Sequence, residues 1–568
     1  ASYNRMHGAK NAPFIRIQSV IRISCIIFMW RYRMKKKITL WAALCMVFVC
    51  FMSMTAAAAG TATINQCIIS GDNQITIVAT VSGVTSDDGN LYLFEMKQYQ
   101  NDIKGRTDFC AVAANAPVAT FVTTLDHGTA NSKLCSKFIV AAPQGGVYVP
   151  VSQQFYITNP EAIAKHTVAN PVTTSIKGIT ADNNAMSAIT DLGIQHVSYE
   201  LAIDRFFQPG PALPYTYNGK DYVFNQTIVA EYDLIMGIFA SQNVEVTMNI
   251  VNYFHPETAF TVKPSGRVNG YRHYAFNTDE QQGAEYIQAL MSFLASRYSN
   301  PATGIISNWA IGNEVNNNNP WYFAGNYNVT NFTHEYEKAF RMCYNTIKSE
   351  NANARVLTCV DQRWNWEDGT KNQYGARKFM DAFNTDIVSH GNIDWGVAWH
   401  PHPVPLTAAK FWNMPTNYKR LNLIDHTPNT KMINPQNLEV FTSYLSQPAF
   451  LAPNGQVRYI IISEILFNSM TSDEATQAAS FAYAYKLAEK NPLIKGFIVH
   501  RAVDNVYEKN ADKIACGLFN CDENGQVTTQ KMIYNVVKFI DTPESAAYTQ
   551  FALPLIGASS WQALGVNP

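Results

Sequence analysis

Hydrophobic and polar positions alternate in the manner of β-strands from residue 61 to residue 160. The alternating segments are rich in β-branched and aromatic residues, and clusters of Gly, Asp and Asn separate them as turns. About 100 residues of short strands without a helical pattern predict a small β-sandwich. This domain either binds glycan or supports the larger domain, and we favour the supporting role. The predicted strands are residues 73–81, 91–96, 118–124, 137–141 and 155–158.

From residue 170 to residue 545, short apolar runs alternate with longer segments of helical periodicity. Strands that alternate with helices in this way predict a (β/α)8 TIM barrel, with residues 546–568 as a C-terminal tail. A doubly wound open sheet is the alternative, but no Gly-rich phosphate loop follows the first strand. The predicted barrel strands are residues 177–180, 195–203, 244–251, 305–313, 355–360, 393–399, 458–463 and 494–499.

Residues 34–59 have the pattern of an export signal. Three lysines precede an apolar run from Ile38 to Met54, and a stretch of alanines follows it. A membrane anchor is the alternative, since the run is near the minimum length for a span. We expect a cleaved signal, no membrane span in the mature protein, and a secreted or cell-surface location. Residues 1–33 are expected to be an upstream artefact, with Met34 as the true start.

Composition narrows the possible partners. Lys and Arg together number 43, as do Asp and Glu, and the absence of a basic block argues against nucleic acid as a partner. Seven cysteines follow the signal, so at least one is unpaired within the chain. In an exported protein, Cys67, Cys110 and Cys135 allow several bridges, and Cys516 with Cys521 allows another. No Cys/His set has zinc spacing, and we expect neither a metal nor another cofactor.

Two glutamates end predicted barrel strands. Glu314 follows the apolar run of strand four, and Glu464 follows that of strand seven. In a TIM barrel these strands lie on opposite sides of the pit in which catalysis occurs. Burial is expected to raise the pKa of Glu314, which suits a general acid. A facing pair of carboxylates is what cleavage of a glycosidic bond with retention requires.

Both strand ends resemble motifs of the clan A glycoside hydrolases. Trp309-Ala-Ile-Gly-Asn313-Glu314 is similar to the strand-four motif of that clan, and Ile462-Ser463-Glu464 to its strand-seven motif. The resemblance implies that Glu314 is the acid/base, that Glu464 is the nucleophile and that Asn313 binds the sugar 2-hydroxyl. Within the clan, the sequence most resembles a family of secreted bacterial proteins described as a domain of unknown function.

Two strands depart from the clan pattern. Strand six ends in His400-Pro-His402, with His402 where the clan has a Tyr that hydrogen-bonds the nucleophile. Imidazole can make the same bond, with a different response to pH. Strand eight ends in His500-Arg501, where many clan members place a Trp under the sugar. The sugar subsite is therefore expected to differ from the usual one.

Further polar and aromatic residues follow other strands. Asp204 and Arg205 form either a substrate clamp or a structural ion pair, and Asn252 and His255 follow strand three. The segments 205–227, 253–277 and 400–433 are predicted to wall a cleft. Aromatic residues in predicted loops either pack in the core or stack on sugars: Trp321, Tyr322, Trp364, Trp366 and Trp412.

The sequence thus predicts a secreted retaining glycoside hydrolase that acts on a poly- or oligosaccharide without a cofactor. The alternative is a catalytically inactive barrel that acts as a glycan-binding surface protein. Another hydrolase chemistry has little support, since the chain contains no Gly-x-Ser-x-Gly elbow.

Overall fold

The computed structural model describes residues 60–567. The predicted upstream segment 1–33 and export signal 34–59 lie outside the described residues. Within residues 60–567, no helix combines the length and the apolar character needed to cross a membrane.

The N-terminal domain consists of two antiparallel sheets that share one core, which confirms the predicted β-sandwich. One sheet has the order β1-β2-β5, and the other has the order β4-β3-β6-β7 with β8 paired to β6. The strand β1 was absent from the prediction because a register shift between Ile64 and Gln66 interrupts its alternation. The strands are β1 (Thr61–Gly71), β2 (Gln74–Ser82), β3 (Asn90–Met96), β4 (Ala111–Ala114), β5 (Val118–Thr124), β6 (Lys137–Gln144), β7 (Val147–Pro150) and β8 (Phe155–Tyr156).

Eight parallel strands close into a barrel, which confirms the predicted TIM-barrel fold. Parallel pairing of the third with the fourth barrel strand completes the ring. These strands are almost wholly buried because helices cover their outer faces, which explains their continuous apolar runs. They are β9 (Lys177–Thr180), β10 (His196–Ala202), β13 (Glu245–Val251), β15 (Gly304–Ile311), β16 (Arg355–Asp361), β17 (Trp395–His400), β18 (Ile460–Leu466) and β19 (Ile494–His500).

Shorter strands lie between and after the barrel strands. The hairpin β11 (Ala212–Tyr217) with β12 (Lys220–Asn225) fills most of segment 205–227, which was predicted as a cleft wall. Its tip approaches the N-terminal domain, since a Cβ on Gly219 would lie 3.7 Å from the backbone of Ala130. The remaining short strands are β14 (Ser299–Asn300), β20 (Phe519–Cys521) and β21 (Val527–Gln530).

Side-chain caps begin several of the helices around the barrel. Asn225 accepts hydrogen bonds at the start of the helix Gln226–Ser241, and Asp473 does so at the helix Glu474–Glu489. The helices are α1 (Ser187–Asp191), α2 (Gln226–Ser241), α3 (Gln281–Arg297), α4 (Asn318–Trp321), α5 (Val329–Glu350), α6 (Ala376–Ser389), α7 (Thr416–Lys419), α8 (Leu438–Leu445), α9 (Glu474–Glu489), α10 (Met532–Phe539), α11 (Ser545–Thr549) and α12 (Ala552–Ile556).

The N-terminal domain packs directly on the barrel helix α5. Asn345 Nδ2 donates to the carbonyl of Leu134 at 2.9 Å, and the guanidinium of Arg341 lies over the ring of Tyr156. The sulfur of Cys135 lies 3.4 Å from the hydroxyl of Thr346, which belongs to the same helix.

All seven cysteines within residues 60–567 are free thiols, so none of the disulfides considered from the sequence forms. Burial raises the pKa of the Cys67 thiol, which therefore stays protonated.

Candidate active site

The turn after strand β15 places Glu314 at the mouth of the barrel. Gly312 has φ +83°, and a Cβ there would lie 2.6 Å from the ring of Tyr322, so only glycine fits. Glu314 itself has φ 38°, a conformation that non-glycine residues rarely adopt. The amide N–H of Glu314 donates to the sulfur of Cys359 at 3.2 Å. Backbone strain of this kind persists where surrounding contacts impose it, which is typical of functional sites.

Glu314 and Glu464 face one another across the mouth. His402 Nε2 lies 3.7 Å from Glu314 Oε1 and 3.5 Å from Glu464 Oε1. Both oxygens lie near the same nitrogen, so the distance between the two oxygens is at most the sum of these two distances. This spacing is compatible with the roughly 5–5.5 Å between the carboxyl groups of retaining glycosidases.

The second ring nitrogen of His402 fixes its tautomer. Nδ1 accepts a hydrogen bond from the backbone N–H of Leu466 at 3.3 Å, so the ring proton belongs on Nε2. His402 therefore presents an N–H donor to the two carboxylates. It stands at the position where the clan resemblance places a tyrosine hydroxyl, which is also a donor.

Glu314, His400 and His402 lie close enough together to suggest a metal site. A histidine ligand usually donates its other ring N–H to an acceptor. If Nε2 of His402 held a metal ion, Nδ1 would have to carry the proton and would face the Leu466 N–H. This donor set therefore does not fit a metal ion.

His400 connects Glu314 to the strand that carries Glu464. Its Nδ1 lies 3.1 Å from Glu314 Oε1, and its Nε2 lies 3.1 Å from the hydroxyl of Ser463 and 3.4 Å from the sulfur of Cys359. When both ring nitrogens carry a proton, Nδ1–H donates to Glu314 and Nε2–H donates to the Ser463 hydroxyl. The imidazole is buried, so water does not compete for these bonds.

The histidines reverse the expected direction of the pKa shift at Glu314. Burial raises the pKa of Glu314, but hydrogen bonds from His400 and His402 outweigh burial and lower it to about 2. The expectation of a raised pKa is therefore wrong. For Glu464, burial likewise acts upward, but His500, His400 and His402 hold its pKa well below the usual value.

The pKa values of the two histidines shift in the opposite direction. Burial lowers the pKa of His400, but Cys359 and the carboxylates Glu464 and Glu314 raise it well above its usual value. Burial also lowers the pKa of His402, and Glu314 and Glu464 raise it overall. The cluster therefore retains protons on or between these groups near neutral pH.

Strand eight brings a third histidine to Glu464. His500 Nδ1 lies 3.8 Å from Glu464 Oε2, and its Nε2 lies 3.6 Å from Glu508. Arg501 pairs with Glu508 at 3.0 Å and stands behind His500 rather than against Glu464. Asn313, on the opposite side, is held by a hydrogen bond from Asn249 Nδ2 to its Oδ1 at 3.0 Å.

The structure does not bring every predicted site residue to this mouth. Arg205 pairs with Glu231 of helix α2 at 2.6 Å, so it does not form a clamp with Asp204. Asn252 uses both ends of its amide on Thr261, at 3.1 Å each, and is structural. Trp364 is 2% exposed and packs edge-on against Phe441 and Tyr444, so it offers no platform for a sugar.

Asp204 and His255 lie together beside strand three. Asp204 is fully buried and accepts from the amide of Tyr253 at 3.1 Å, while His255 Nε2 lies 3.5 Å from the other carboxylate oxygen. Asp204 thus fixes the loop that carries Tyr253. Of the other loop aromatics, Tyr322 is buried, whereas Trp321, Trp366 and Trp412 are partly exposed.

Three side chains at the mouth were not predicted from the sequence, namely those of Glu200, Tyr253 and His273. Glu200 ends the inward-facing row of strand β10 and accepts from the Tyr253 hydroxyl at 2.9 Å. His273 Nε2 lies 3.3 Å from the same hydroxyl, and its ring is 5.5 Å from that of Trp321. Burial raises the pKa of Glu200 and lowers that of His273 to about 4. Spacing by two from Ser198 was the available signal for Glu200.

A polar network lies beneath Glu314. Asn317 Nδ2 donates to Asp361 Oδ2 at 2.5 Å and lies 3.4 Å from Glu314 Oε2. Arg363 pairs with Asp361 at 3.1 Å. Asp361 and Arg363 therefore support the carboxylate from below.

Comparison with solved structures finds glycoside hydrolases of low sequence identity. A family 39 glycoside hydrolase from the gut symbiont Bacteroides cellulosilyticus WH2 is 12% identical with a TM-score of 0.43, over 85% of this chain and 83% of that one. A β-glucosidase from Pyrococcus furiosus is 15% identical with a TM-score of 0.43, over 65% and 86%. The β-glycosidase of Thermosphaera aggregans is 14% identical with a TM-score of 0.43, over 64% and 86%.

No curated protein matches the sequence. A family model does match, over residues 169–564, and these residues comprise the whole barrel. This match covers well over half of the chain and agrees with the resemblance to a domain of unknown function. The chain therefore belongs to the family of unknown function DUF5722.

Proposed function

We propose that this protein is a retaining glycoside hydrolase that cleaves a poly- or oligosaccharide by double displacement. The observation that carries the proposal is the pair of carboxylates, Glu314 and Glu464, that meet one imidazole nitrogen across the barrel mouth. Two opposed carboxylates this close to one nitrogen are compatible with the chemistry of a retaining glycosidase. The export pattern of residues 34–59 supports a secreted or cell-surface location.

Glu464 is the proposed nucleophile. Its low pKa keeps it ionised, and its side chain is 26% exposed at the mouth, so that a bound sugar can meet the carboxylate at the anomeric carbon. The attack breaks the glycosidic bond and forms a glycosyl ester with Glu464. The Nε2–H of His402 orients the carboxylate, and His500 adds a second nearby donor.

Glu314 is the proposed acid/base, with His400 as its proton store. The two groups hold one proton between Glu314 Oε1 and His400 Nδ1, which are 3.1 Å apart. When Glu464 becomes an ester, its negative charge disappears, and Glu314 passes the proton to the leaving oxygen. In the second step Glu314 takes a proton from water, which attacks the ester and releases the sugar.

Chemical rescue tests the nucleophile. Glu464→Ala is expected to lose turnover on aryl glycosides and to regain it with azide, giving a glycosyl azide of inverted anomeric configuration. Glu200→Ala removes another carboxylate from the same mouth and serves as the matched control, with no azide product expected. Azide product from Glu200→Ala alone would move the nucleophile to Glu200.

A broader screen tests the activity itself. The full chain and its Glu464→Gln variant are compared on neutral and acidic oligosaccharides and aryl glycosides. Equal turnover by both would refute the assignment of Glu464. Binding of a glycan without turnover by either would favour the inactive glycan-binding barrel.

A further inference from the structure

A buried thiol adjoins both Glu314 and His400, and the mechanism proposed above gives it no role. Cys359, in strand β16, is 1% exposed and belongs to the apolar layer inside the barrel, together with Leu357 and Ile461. Hydrocarbon side chains fill most of this layer, and they make no hydrogen bonds. The Cys359 sulfur, in contrast, lies within hydrogen-bond distance of the Glu314 amide and the His400 ring.

Cys359 holds the turn that carries Glu314 through two successive amides. The N–H of Glu314 donates to the Cys359 sulfur at 3.2 Å, and the N–H of Val315 donates to the Cys359 carbonyl at 2.9 Å. Glu314 has φ 38°, a conformation that persists only where surrounding contacts impose it. A buried amide also needs an acceptor. The side chain at position 359 therefore has to accept a hydrogen bond if Glu314 is to keep this backbone with its amide paired.

The same sulfur contacts the ring that stores the proton of the acid/base. His400 Nε2 lies 3.4 Å from the Cys359 sulfur and 3.1 Å from the Ser463 hydroxyl. On the other side of the ring, Nδ1 lies 3.1 Å from Glu314 Oε1. A thiol and a hydroxyl can each donate or accept a hydrogen bond. His400 can therefore gain or lose the proton on Nε2 without leaving that nitrogen unpaired.

The titratable groups that face His400 come from four neighbouring elements. They are Glu314 after strand β15, Cys359 of β16, His402 after β17 and Glu464 of β18. Burial lowers the pKa of His400, and Cys359, Glu464 and Glu314 raise it well above its usual value. Removal of the sulfur should therefore lower the pKa of His400.

We infer that Cys359 is a positioning residue for the acid/base: its sulfur fixes the backbone of Glu314 and holds the His400 ring in line with the Glu314 carboxylate. The inference rests on the proposed function, because it explains how the proposed acid/base is held in place. Cys359 acts through these two residues and not on the sugar, since its side chain is buried.

Three substitutions in the full chain separate the hydrogen bond from the space that the thiol fills. Cys359→Ala removes the acceptor and leaves a gap, Cys359→Val removes the acceptor and fills the gap, and Cys359→Ser keeps an acceptor. Cys343→Ala is the matched control, because it removes an equally buried thiol from helix α5. The melting temperature of each variant is recorded.

Two readouts are measured for each variant. The first is kcat and KM against pH on phenyl glycosides, whose weakly acidic leaving group needs a proton. The second is an NMR titration of the His400 ring, assigned by the signal that is missing from His400→Asn. The titration requires no turnover, so it reports on His400 whether or not a glycoside is cleaved.

Cys359→Ala and Cys359→Val should lower kcat about tenfold to a hundredfold and change KM by less than about threefold, because the Glu314 amide loses its acceptor. In both variants the alkaline limb of the kcat profile and the pKa of His400 should move to lower pH. Cys359→Ser should recover most of the lost rate. Cys343→Ala should match the parent chain in both readouts.

Equal rates and an equal His400 pKa in Cys359→Val and Cys343→Ala would overturn the inference and leave the proposed function standing. A loss in Cys359→Ala that Cys359→Val restores would assign Cys359 to packing, and would overturn the inference as well. If the full chain cleaves no glycoside, the proposed function fails by itself. The NMR titration then decides the inference: a lower His400 pKa in Cys359→Val than in Cys343→Ala supports it, and equal values overturn it.

Discussion

The barrel holds a buried glutamate cluster at each end, and the two clusters differ in their partners. At the N-terminal end, Glu245 accepts from Asn308 at 2.9 Å and from Tyr459 at 2.5 Å, and pairs with Arg355 at 3.1 Å. Burial raises the pKa of Glu245, but His196 and Arg355 lower it to about 2. The pKa of Glu314 at the other end is also lowered to about 2, by hydrogen bonds from His400 and His402.

A low carboxylate pKa therefore does not distinguish a catalytic site from a structural one. Glu245 pairs with Arg355, a guanidinium that stays charged over the working pH range, as well as with His196. His400 and His402 can give up or accept a proton in that range. Glu314 also has a strained backbone, and Glu464 opposite it is partly open to solvent. Glu245 also has a histidine beside it, His196, so strain and access together mark the C-terminal end as the site of chemistry.

The largest expected effect comes from a pair of matched substitutions, one at each end of the barrel. Glu464→Gln should reduce kcat by at least about 10⁴-fold with little loss of stability, because it removes the nucleophile. Glu245→Gln should reduce the free energy of unfolding by about 1–3 kcal/mol, because it removes the charged partner of Arg355, which stays partly exposed to water. The values of kcat and the free energies of unfolding are measured for both variants. A large kcat loss in folded Glu245→Gln would contradict this comparison.

The next effect concerns the leaving group. Glu314→Gln should lower kcat about 10²–10⁴-fold on natural glycosides, since no acid protonates the departing oxygen. The loss should shrink on aryl glycosides whose phenolate leaves unaided. Steady-state rates across a series of phenols of decreasing pKa provide the measurement. A loss that is the same across the series would assign Glu314 a role other than the acid.

Much of the fold was accessible from the sequence because parallel barrel strands are buried on both faces. Runs such as Gly304–Ile311 and Ile460–Leu466 are therefore short and mostly apolar. Glu314 and Glu464 followed from their predicted positions at strand ends and from the clan resemblance, although the observed strand β18 continues past Glu464 to Leu466. The pKa direction of Glu314 did not follow, because its histidine partners arrive from strand six, far along the chain.

The remaining predictions about site residues were wrong because the sequence does not reveal which way a side chain points. Arg205 adjoins Asp204 in sequence, but both lie in the 3-10 helix Ile203–Phe207, which turns Arg205 outward to Glu231. Asn252 and Trp364 carry suitable chemistry but point into protein, which no local pattern reveals. Glu200 and His273 come from separate strand and loop segments, and only closure of the barrel joins them through Tyr253.

A smaller effect on activity tests the proton shared by Glu314 and His400. The raised pKa of His400 means that the pair keeps its proton at low and neutral pH and loses it only as pH rises past that value. His400→Asn retains a hydrogen-bond donor but cannot store a proton. The alkaline limb of the profile of kcat/KM against pH should therefore move to lower pH, with a loss of about tenfold or less at the optimum. An unmoved alkaline limb would place the proton on Glu314 alone.

The smallest effect concerns strain at Glu314. A non-glycine residue in the left-handed region costs roughly 1–2 kcal/mol, and Asn adopts that region more readily than Glu or Gln. Glu314→Asn should therefore be more stable than Glu314→Gln by up to about 1 kcal/mol, although both turn over natural glycosides slowly. Both variants remove the charge beside His400, and Asn is one methylene shorter, so the expected difference combines relief of the backbone at φ 38° with a loss of side-chain packing. Denaturant midpoints at neutral pH provide the measurement. A lower midpoint for Glu314→Asn would mean that relief of strain does not outweigh the lost packing. The comparison of the two barrel ends would then rest on access alone.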